Sequence, residues 1–172
     1  DALWLGAGVM ASGCGYALAG RGNSLPATIV SIGVPQFFNQ STTADIDRVL
    51  TDAVRAESQT KGKYRILPDA TGVDGLLVGR VLNVVLQPSA FTSQNQVSRQ
   101  LIIVSASIEF TEVLESRVIW ANPSFQARDE FDVTTGVSAT DPSALFAQDA
   151  SALERLGRNF ARSVVTSIFE AF

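Results

Sequence analysis

Two long apolar stretches joined by a short polar connection constrain the fold more than any other feature of this chain. Each stretch, Leu76 to Gln87 and Arg99 to Glu112, is long enough for a strand that crosses a whole domain. The connection from Pro88 to Gln96 is polar and begins with proline, which predicts a hairpin. The second stretch places alternate apolar residues on one face: Ile102, Val104, Ala106, Ile108 and Phe110. The pair therefore predicts the antiparallel centre of a β-sheet.

The residues before this hairpin predict a strand, a helix and a second strand. Thr28 to Val34 is rich in β-branched residues and predicts a strand. One face of that strand is expected to carry Val30, Ile32 and Val34. The hydroxyl residues 41–43 offer N-caps for an amphipathic helix that runs to about Gln59. Because Tyr64 to Leu67 predicts another short strand, we expect one right-handed parallel crossover.

The residues after the hairpin predict a third antiparallel strand and a closing helix. The strand runs from Arg117 to about Ala121, is broken at Asn122-Pro123, and resumes from Phe125 toward Phe131. After a loop from Thr134, Asp141-Pro142 is typical of an N-cap followed by a first-turn proline, and one helix is expected to run to the C-terminus. Its predicted buried stripe is Leu153, Leu156, Phe160, Val164 and Ile168.

The element order β-α-β-β-β-α predicts one α+β domain over residues 14–172. We expect a two-layer sandwich in which a mixed four- to five-stranded sheet carries both helices on one face. The long strands are apolar on both sides. One side is predicted to hold Leu76, Val78, Leu82, Val84 and Leu86, and the other Leu77, Val81 and Val85, joined by Leu101 and Ile103. A partner or ligand, or the chain's own N-terminal segment and loops, is therefore expected to cover the second face.

Charge and composition narrow the function classes. The net charge is −4 and the basic residues cluster only at Lys61, Lys63 and Arg65, so nucleic-acid binding is not expected. The chain has no histidine, the commonest general base and zinc ligand, so we expect no enzyme, no metal and no cofactor. The acidic run Asp129-Glu130-Asp132 is interpreted as a solvated edge strand that discourages strand addition.

Cys14 indicates a lipid anchor. It is the only cysteine, and it follows an apolar run and the small residues Ala11-Ser12-Gly13. The run is too short to span a bilayer, and its small-residue ending before cysteine is typical of bacterial lipoprotein processing. Residues 1–13 are then the remnant of a removed signal peptide, whose basic beginning is expected upstream of residue 1. The alternative is an ordinary buried free thiol.

Several motifs together resemble the lipopolysaccharide-assembly lipoprotein family. The resemblance covers the chain from residue 14 onward in order and spacing. Its elements are Cys14-Gly15-Tyr16, Leu25-Pro26, Val34-Pro35-Gln36-Phe37-Phe38-Asn39, the polar hairpin followed by Leu101 to Phe110, Phe131, and Ala152-Leu153-Glu154-Arg155-Leu156. The resemblance implies an outer-membrane lipoprotein, facing the periplasm, that stands as a plug within a large β-barrel translocon and assists its assembly and lipopolysaccharide insertion. The alternative is an accessory of another envelope machine, such as an ABC-transport auxiliary lipoprotein or a regulator of peptidoglycan synthesis.

The candidate contact residues follow from the apolar strand faces and from this resemblance. Partner contact is expected at Phe37, Phe38, Leu77, Val81, Val85, Leu101 and Ile103. The resemblance implies lipopolysaccharide contact through a basic residue at the hairpin tip. Here the tip around Thr92 has no Lys or Arg, so Arg80 and Arg99 on its flanks are the cationic candidates. The favoured interpretation is that both arginines are solvated or paired with Glu109 or Glu112.

Overall fold

The computed structural model describes residues 25–133 and 141–171, which form a sheet layer and a helix layer. Cys14, the predicted signal remnant and most of the predicted loop before Asp141 lie outside the described residues. In chain order the elements are β1 (Ser31–Gly33), β2 (Phe38–Asn39), α1 (Ile46–Thr60), β3 (Arg65–Leu67), β4 (Gly75–Phe91), β5 (Val97–Glu112), β6 (Arg117–Asp132), α2 (Pro142–Gln148) and α3 (Ala150–Phe169).

The strands form one mixed sheet in the order β3-β1-β4-β5-β6, and the two-residue β2 also pairs with β4. β1 is parallel to β3 and to the start of β4, while β4, β5 and β6 are antiparallel. The segment β1-α1-β3 is the predicted parallel crossover. The predicted α+β class, a mixed sheet with the helices packed on one face, is confirmed.

The core lies between the helices and the inner side of the sheet. α3 contributes buried residues at helical spacing, as its apolar stripe predicted. α1 lies in the same helix layer and also buries one face. Phe160 stands at the centre, with edge-to-face ring contacts to Phe37 at 6.4 Å and Phe125 at 5.4 Å between centroids. Gly79 leaves room for this arrangement, since a Cβ there would lie 2.6 Å from the Phe37 ring.

β4 and β5 form a hairpin that is longer than predicted. β4 continues through Pro88 to Phe91, and only residues 92–96 form the turn. The turn is closed by Thr92 N donating to Gln96 O at 2.7 Å, and Asn95 has the left-handed φ of 60° that such turns favour. Polar residues near a proline can therefore remain in a strand when a long partner strand pairs with them.

A β-bulge in β4 changes which residues face the helices. The pairing register shifts between Val81 and Asn83, so Leu82 is the extra residue. Beyond the bulge, Val84 pairs with Val104 on the helix side and Val85 pairs with Ile103 on the other side. The prediction that Leu76, Val78, Leu82, Val84 and Leu86 share one face is therefore wrong, because strict alternation ends at Leu82.

β6 is one continuous strand where a broken one was predicted. Its pairing with β5 shifts between Ala106 and Ile108, where residues 123 and 124 lie opposite Ser107. Pro123 has no backbone N–H to donate, so a bulge on an edge strand accommodates it. The Asn122-Pro123 signal was therefore a real irregularity, and it did not end the strand.

Three helix and strand details also differ from expectation. α1 begins after Asp45, which has a φ of 59° and makes no side-chain cap, whereas the Ser41 hydroxyl donates to Asn39 at 2.7 Å. The C-terminal helix is divided at Asp149, whose carboxylate accepts from Ala152 N at 3.2 Å and caps α3. Val30 was predicted to share one strand face with Ile32 and Val34. Those two are buried and Val30 is exposed, because the regular strand begins only at Ser31.

Candidate functional site on the open face of the sheet

The outward side of β4, β5 and β6 is the strongest candidate for a functional surface, because none of the described helices packs on it. We call this side the open face. Its apolar members are half-buried or exposed: Val78, Leu82, Val85, Leu101 and Ile103. Val78 and Val85 leave 45% and 37% of their surface in water. The open face therefore presents aliphatic side chains that the described residues leave in contact with water.

A shallow groove of about 460 Å³ crosses the open face beside the bulge. Its lining combines aliphatic, hydroxyl and charged groups: Val78, Gly79, Arg80, Leu82, Ser107, Glu109 and Pro123. The bulge directs Leu82 outward into this lining, and Pro123 enters it from the corresponding bulge in β6. Two strand irregularities thus produce the concave part of an otherwise flat surface.

Arg80 is the cation in this groove. β2 pairs with β4 so that Phe38 lies opposite Arg80, and the guanidinium carbon stands 5.6 Å from the centroid of the Phe38 ring. Phe38 itself is exposed. Arg80 forms no ion pair with any residue that the structure describes, so its charge is available to a ligand.

Arg99 is committed to partners within the chain. Its guanidinium lies 3.2 Å from a carboxylate oxygen of Asp132 and 3.6 Å from one of Glu130. Arg99 therefore does not pair with Glu109 or Glu112, as was expected. It pairs with acidic residues of the neighbouring strand β6, where Asp132 lies directly opposite it. Glu112 instead pairs with Arg117 at 2.8 Å.

Thr92 organises the hairpin turn. Its hydroxyl oxygen accepts from the backbone N–H of Gln94 at 3.3 Å and of Gln96 at 3.2 Å. The neighbouring Phe91 is exposed. The tip therefore presents an aromatic ring and amides, and no cation.

Three of the predicted partner-contact residues lie in the core. Phe37, Leu77 and Val81 are buried beneath the helices, so the prediction that they contact a partner is wrong. The reason is the alternation of side chains along β4, which turns Leu77, Gly79 and Val81 toward the helices. Gly79 has no side chain, so the Phe37 ring can pack directly against it. The structure places the other four, Phe38, Val85, Leu101 and Ile103, on the outward side or at its edge.

Val78 and Leu82 belong to the open face and were absent from the predicted contact residues. A signal for Val78 was present in the sequence. Arg80 is a charged residue two positions along the same strand, and it marks the outward phase. Leu82 left no such signal, because the bulge rather than alternation directs it outward.

Two carboxylates at the start of β4 and the end of β5 support the sheet. The Thr28 hydroxyl donates to Glu112 at 2.5 Å, and with Arg117 it holds the pKa of Glu112 below its usual value. The Ser31 hydroxyl donates to Asp74 at 2.8 Å. With the backbone N–H groups of Ser31 and Val30, it lowers the pKa of Asp74. Both carboxylates tie β1 to the long strands and are structural.

Residues 25–133 and 141–171 contain neither a metal-binding cluster nor a membrane-spanning helix. In that part of the chain, no three His, Cys, Asp or Glu side chains are grouped so that they could bind a metal ion. None of the described helices combines the length and apolarity needed to cross a membrane.

The fold and the open face define a small α+β domain in which the described helices cover one side of the sheet and leave the other side open. No protein-family model matches the chain, and no curated protein matches its sequence. Among solved structures, the fold is similar to a minor lipoprotein from Acinetobacter baumannii (12% identity, 84% of this chain, 93% of that chain, TM-score 0.46). It is also similar to uncharacterized lipoprotein B from Nitrosomonas europaea (7%, 89%, 92%, 0.47) and lipoprotein GNA1162 from Neisseria meningitidis (16%, 73%, 96%, 0.42). These three neighbours are bacterial lipoproteins.

Proposed function

We propose that this chain is a lipid-anchored accessory subunit of the outer-membrane lipopolysaccharide translocon. In this role it docks through the open face against a large β-barrel protein, stands within the barrel as a plug, and assists barrel assembly and lipopolysaccharide insertion into the outer leaflet. The single observation that carries the proposal is the side of β4, β5 and β6 that none of the described helices covers and that bears exposed aliphatic residues.

The composition of the open face suits protein contact. Aliphatic side chains lie along its middle on β4 and β5, while charged residues such as Arg128 and Glu130 border them on β6. Protein interfaces have the same plan, an apolar centre within a polar rim. A water-facing sheet without a partner would alternate more cleanly between apolar and polar residues. A second protein layer over Val85 and Ile103 would cover the side of the sheet that the described helices leave in water.

The anchor supports the location. Acylation at Cys14 would attach the chain to the membrane, and lipoprotein cysteines carry several acyl chains, which gives stable attachment. The domain then faces the periplasm beside the outer membrane. This part of the proposal rests on the sequence and on the family resemblance.

The proposed role is not catalytic. The chain has no histidine, and no described side chain forms a hydrogen bond with the Ser107 hydroxyl in the groove that would activate it as a nucleophile. Its shape and chemistry are those of a surface that receives side chains.

Direct lipopolysaccharide contact, where it occurs, would use Arg80. Phosphate groups are bound best by a guanidinium that is free to offer paired donors. The hairpin tip at Thr92 has no cation, and Arg99 is already held by Glu130 and Asp132. Arg80 is the remaining candidate of the three, and it borders the groove.

Affinity purification from detergent-solubilised outer membranes tests the docking role. The wild-type chain should recover a large β-barrel protein. Val85→Asp should lower that recovery at least about tenfold, since it places a charge in a dehydrated interface. Ala56→Asp is the matched control, because Ala56 is exposed on α1 on the opposite side of the domain. Equal recovery with both variants would contradict docking through the open face.

The same purification separates the alternative envelope machines. Recovery of an inner-membrane ATPase complex in place of a barrel would favour an ABC-transport accessory. Cys14→Ser tests the anchor separately: we expect the variant in the soluble periplasmic fraction, and unchanged membrane retention would contradict a lipoprotein.

A further inference from the structure

The end of the sheet opposite the hairpin tip exposes several apolar side chains close together. We call this end the base and define it by Val30, the loop 61–65 and the turn 113–116. Val30 and Val113 are exposed, and Leu114 leaves 83% of its surface in water. No part of the open-face groove reaches these residues, so the base is a separate surface.

Backbone hydrogen bonds bring the three segments of the base together. Asp74 O accepts from Val113 N at 2.8 Å, and the carboxylate of the same residue accepts from Val30 N at 3.1 Å. Val30 O in turn accepts from Arg65 N at 2.9 Å, which ties the loop 61–65 to the same end. The base is therefore a defined surface on the sheet.

The shape of the base suits lipid acyl chains better than a helix or a strand of a partner protein. Leu114 lies in a tight turn that Ser116 N closes by donating to Val113 O at 3.2 Å, and Ser116 has a left-handed φ of 49°. A single aliphatic side chain on a convex turn offers no groove for a helix or a strand. Acyl chains can close around such a side chain without needing a complementary shape.

Two lysines at the base are free of ion pairs with the described residues and can meet phosphate headgroups. Lys61 and Lys63 are exposed and form no ion pair with any described residue. Two acidic residues at this end, Glu112 and Glu115, are both engaged by Arg117, at 2.8 Å and 3.8 Å. Glu170 follows Phe169, whose ring contacts Tyr64, so it also lies at this end. Arg65 and Asp74 lie here too and offset each other, so the charges of the base balance. The exposed aliphatic residues therefore carry more of the argument than the lysines.

The base is also the end of the domain closest along the chain to the proposed anchor. The described chain begins at Leu25, and Thr28 donates its hydroxyl to Glu112, the residue before Val113. Cys14 precedes Leu25 by eleven positions, a span of at most roughly 40 Å when fully extended. The hairpin tip stands on the order of 50 Å away, at the far end of the 17-residue β4. An acyl chain on Cys14 would therefore hold the base closer to the membrane than the hairpin tip.

We propose that, in the lipid-anchored chain before it enters the barrel, the base rests on the phospholipid surface, with Leu114 among the acyl chains and Lys61 and Lys63 at the headgroup phosphates. This inference rests on the lipid anchor in the proposed function. It adds a second membrane contact that fixes the orientation of the domain, with the hairpin directed away from the bilayer.

A single-thiol label tests this contact. Cys14 is the only cysteine, so in the acylated chain Leu114→Cys provides one free thiol for an environment-sensitive dye. Phe91→Cys at the hairpin tip is the matched control, because Phe91 is 57% exposed and equally apolar. Both labelled proteins are placed in vesicles of phosphatidylethanolamine and phosphatidylglycerol that contain a lipid-borne quencher in the upper acyl region.

We expect the emission of the dye at position 114 to shift to shorter wavelength and to be quenched by the lipid-borne quencher. The dye at position 91 should keep the emission of a dye in water and should not be quenched. A dye at 114 that remains in water on membrane-bound protein would overturn the contact. So would a blue-shifted dye that the quencher cannot reach, because protein would then cover Leu114. Protein that fails to join the vesicles at all would instead refute the anchor and therefore the proposed function.

A charge reversal tests the headgroup contact independently. In the unlipidated Cys14→Ser chain, Lys63→Glu should lower the partition coefficient on vesicles rich in phosphatidylglycerol by at least about fivefold. It should change binding to neutral vesicles little. Arg48→Glu makes the same change of charge near the start of α1, away from the base, and should have a smaller effect. Equal losses would show general charge attraction and contradict a specific role of the base.

Discussion

The two sides of β5 show how differently one strand can be used. Toward the helices, Ile102 and Val104 are completely buried. Toward the open face, Leu101 and Ile103 are equally apolar but only half-buried. The difference lies in the helix layer, which covers one side of the sheet only, and not in the hydrophobicity of the residues. The covered side therefore supplies most of the folding free energy, and the open side keeps apolar surface for binding.

The largest contrast should come from removing a large side chain on each side of β5. Phe110→Ala removes a buried ring from the covered side and should lower the free energy of unfolding by about 3–5 kcal/mol. Ile103→Ala on the open face should cost about 1 kcal/mol or less, since much of that surface already meets water. Urea titration at neutral pH measures both values. Similar losses would show that the open face is part of the folding core.

A smaller contrast should come from adding one carbon to β4. A Cβ at Gly79 would lie 2.6 Å from the Phe37 ring, so Gly79→Ala must displace a buried aromatic residue and should cost about 1–3 kcal/mol. Val78→Ala, on the neighbouring outward position, should cost less than about 1 kcal/mol. Thermal unfolding of the two variants checks this order, and a reversed order would contradict the inward phase of Gly79.

The smallest contrast should appear in the dependence of stability on pH. The Thr28 hydroxyl and Arg117 lower the pKa of Glu112 from its ordinary value of 4.5. The folded state thus binds the proton more weakly than the unfolded state. This contribution to stability is present above about pH 4.5 and is lost as the pH falls through the lower folded pKa.

Glu112→Gln should therefore be less stable than the wild type at pH 7, and the difference should narrow below pH 4.5. Glu109→Gln on the open face is the control, because Glu109 is exposed on the same strand. Chemical unfolding across this pH range measures the effect. A difference that stays constant with pH would indicate that Glu112 acts through packing alone.

Much of the covered side could be predicted from the sequence, because its signals are local and periodic. The stripe of α3 from Leu156 to Ile168 repeats at helical spacing, and the inner row of β5 alternates without interruption. These two patterns are enough to give the two-layer fold. The Asp141-Pro142 signal likewise placed a helix start correctly.

The open face was harder to predict, because its composition depends on strand register. One extra residue at Leu82 reverses the sides of everything beyond it in β4, and periodicity along one strand cannot show where a partner strand shifts. Leu77 and Val81 were assigned to a partner for this reason. The break between α2 and α3 at Asp149 was missed for another reason. A carboxylate that caps a helix looks, in a helical sequence pattern, like any exposed acidic residue.

The edge strand β6 has a consequence for how the chain behaves before it meets a partner. Leu101 to Val104 is a β-prone, uncharged segment of the kind that seeds fibrils when it lies at a sheet edge. Here β4 and β6 flank it on both sides. The outer edge of β6 combines Pro123, which lacks an amide donor, with a charged end at Asp129 to Asp132. The outer edge of β6 therefore discourages newly made molecules from adding strands to one another at this side of the sheet.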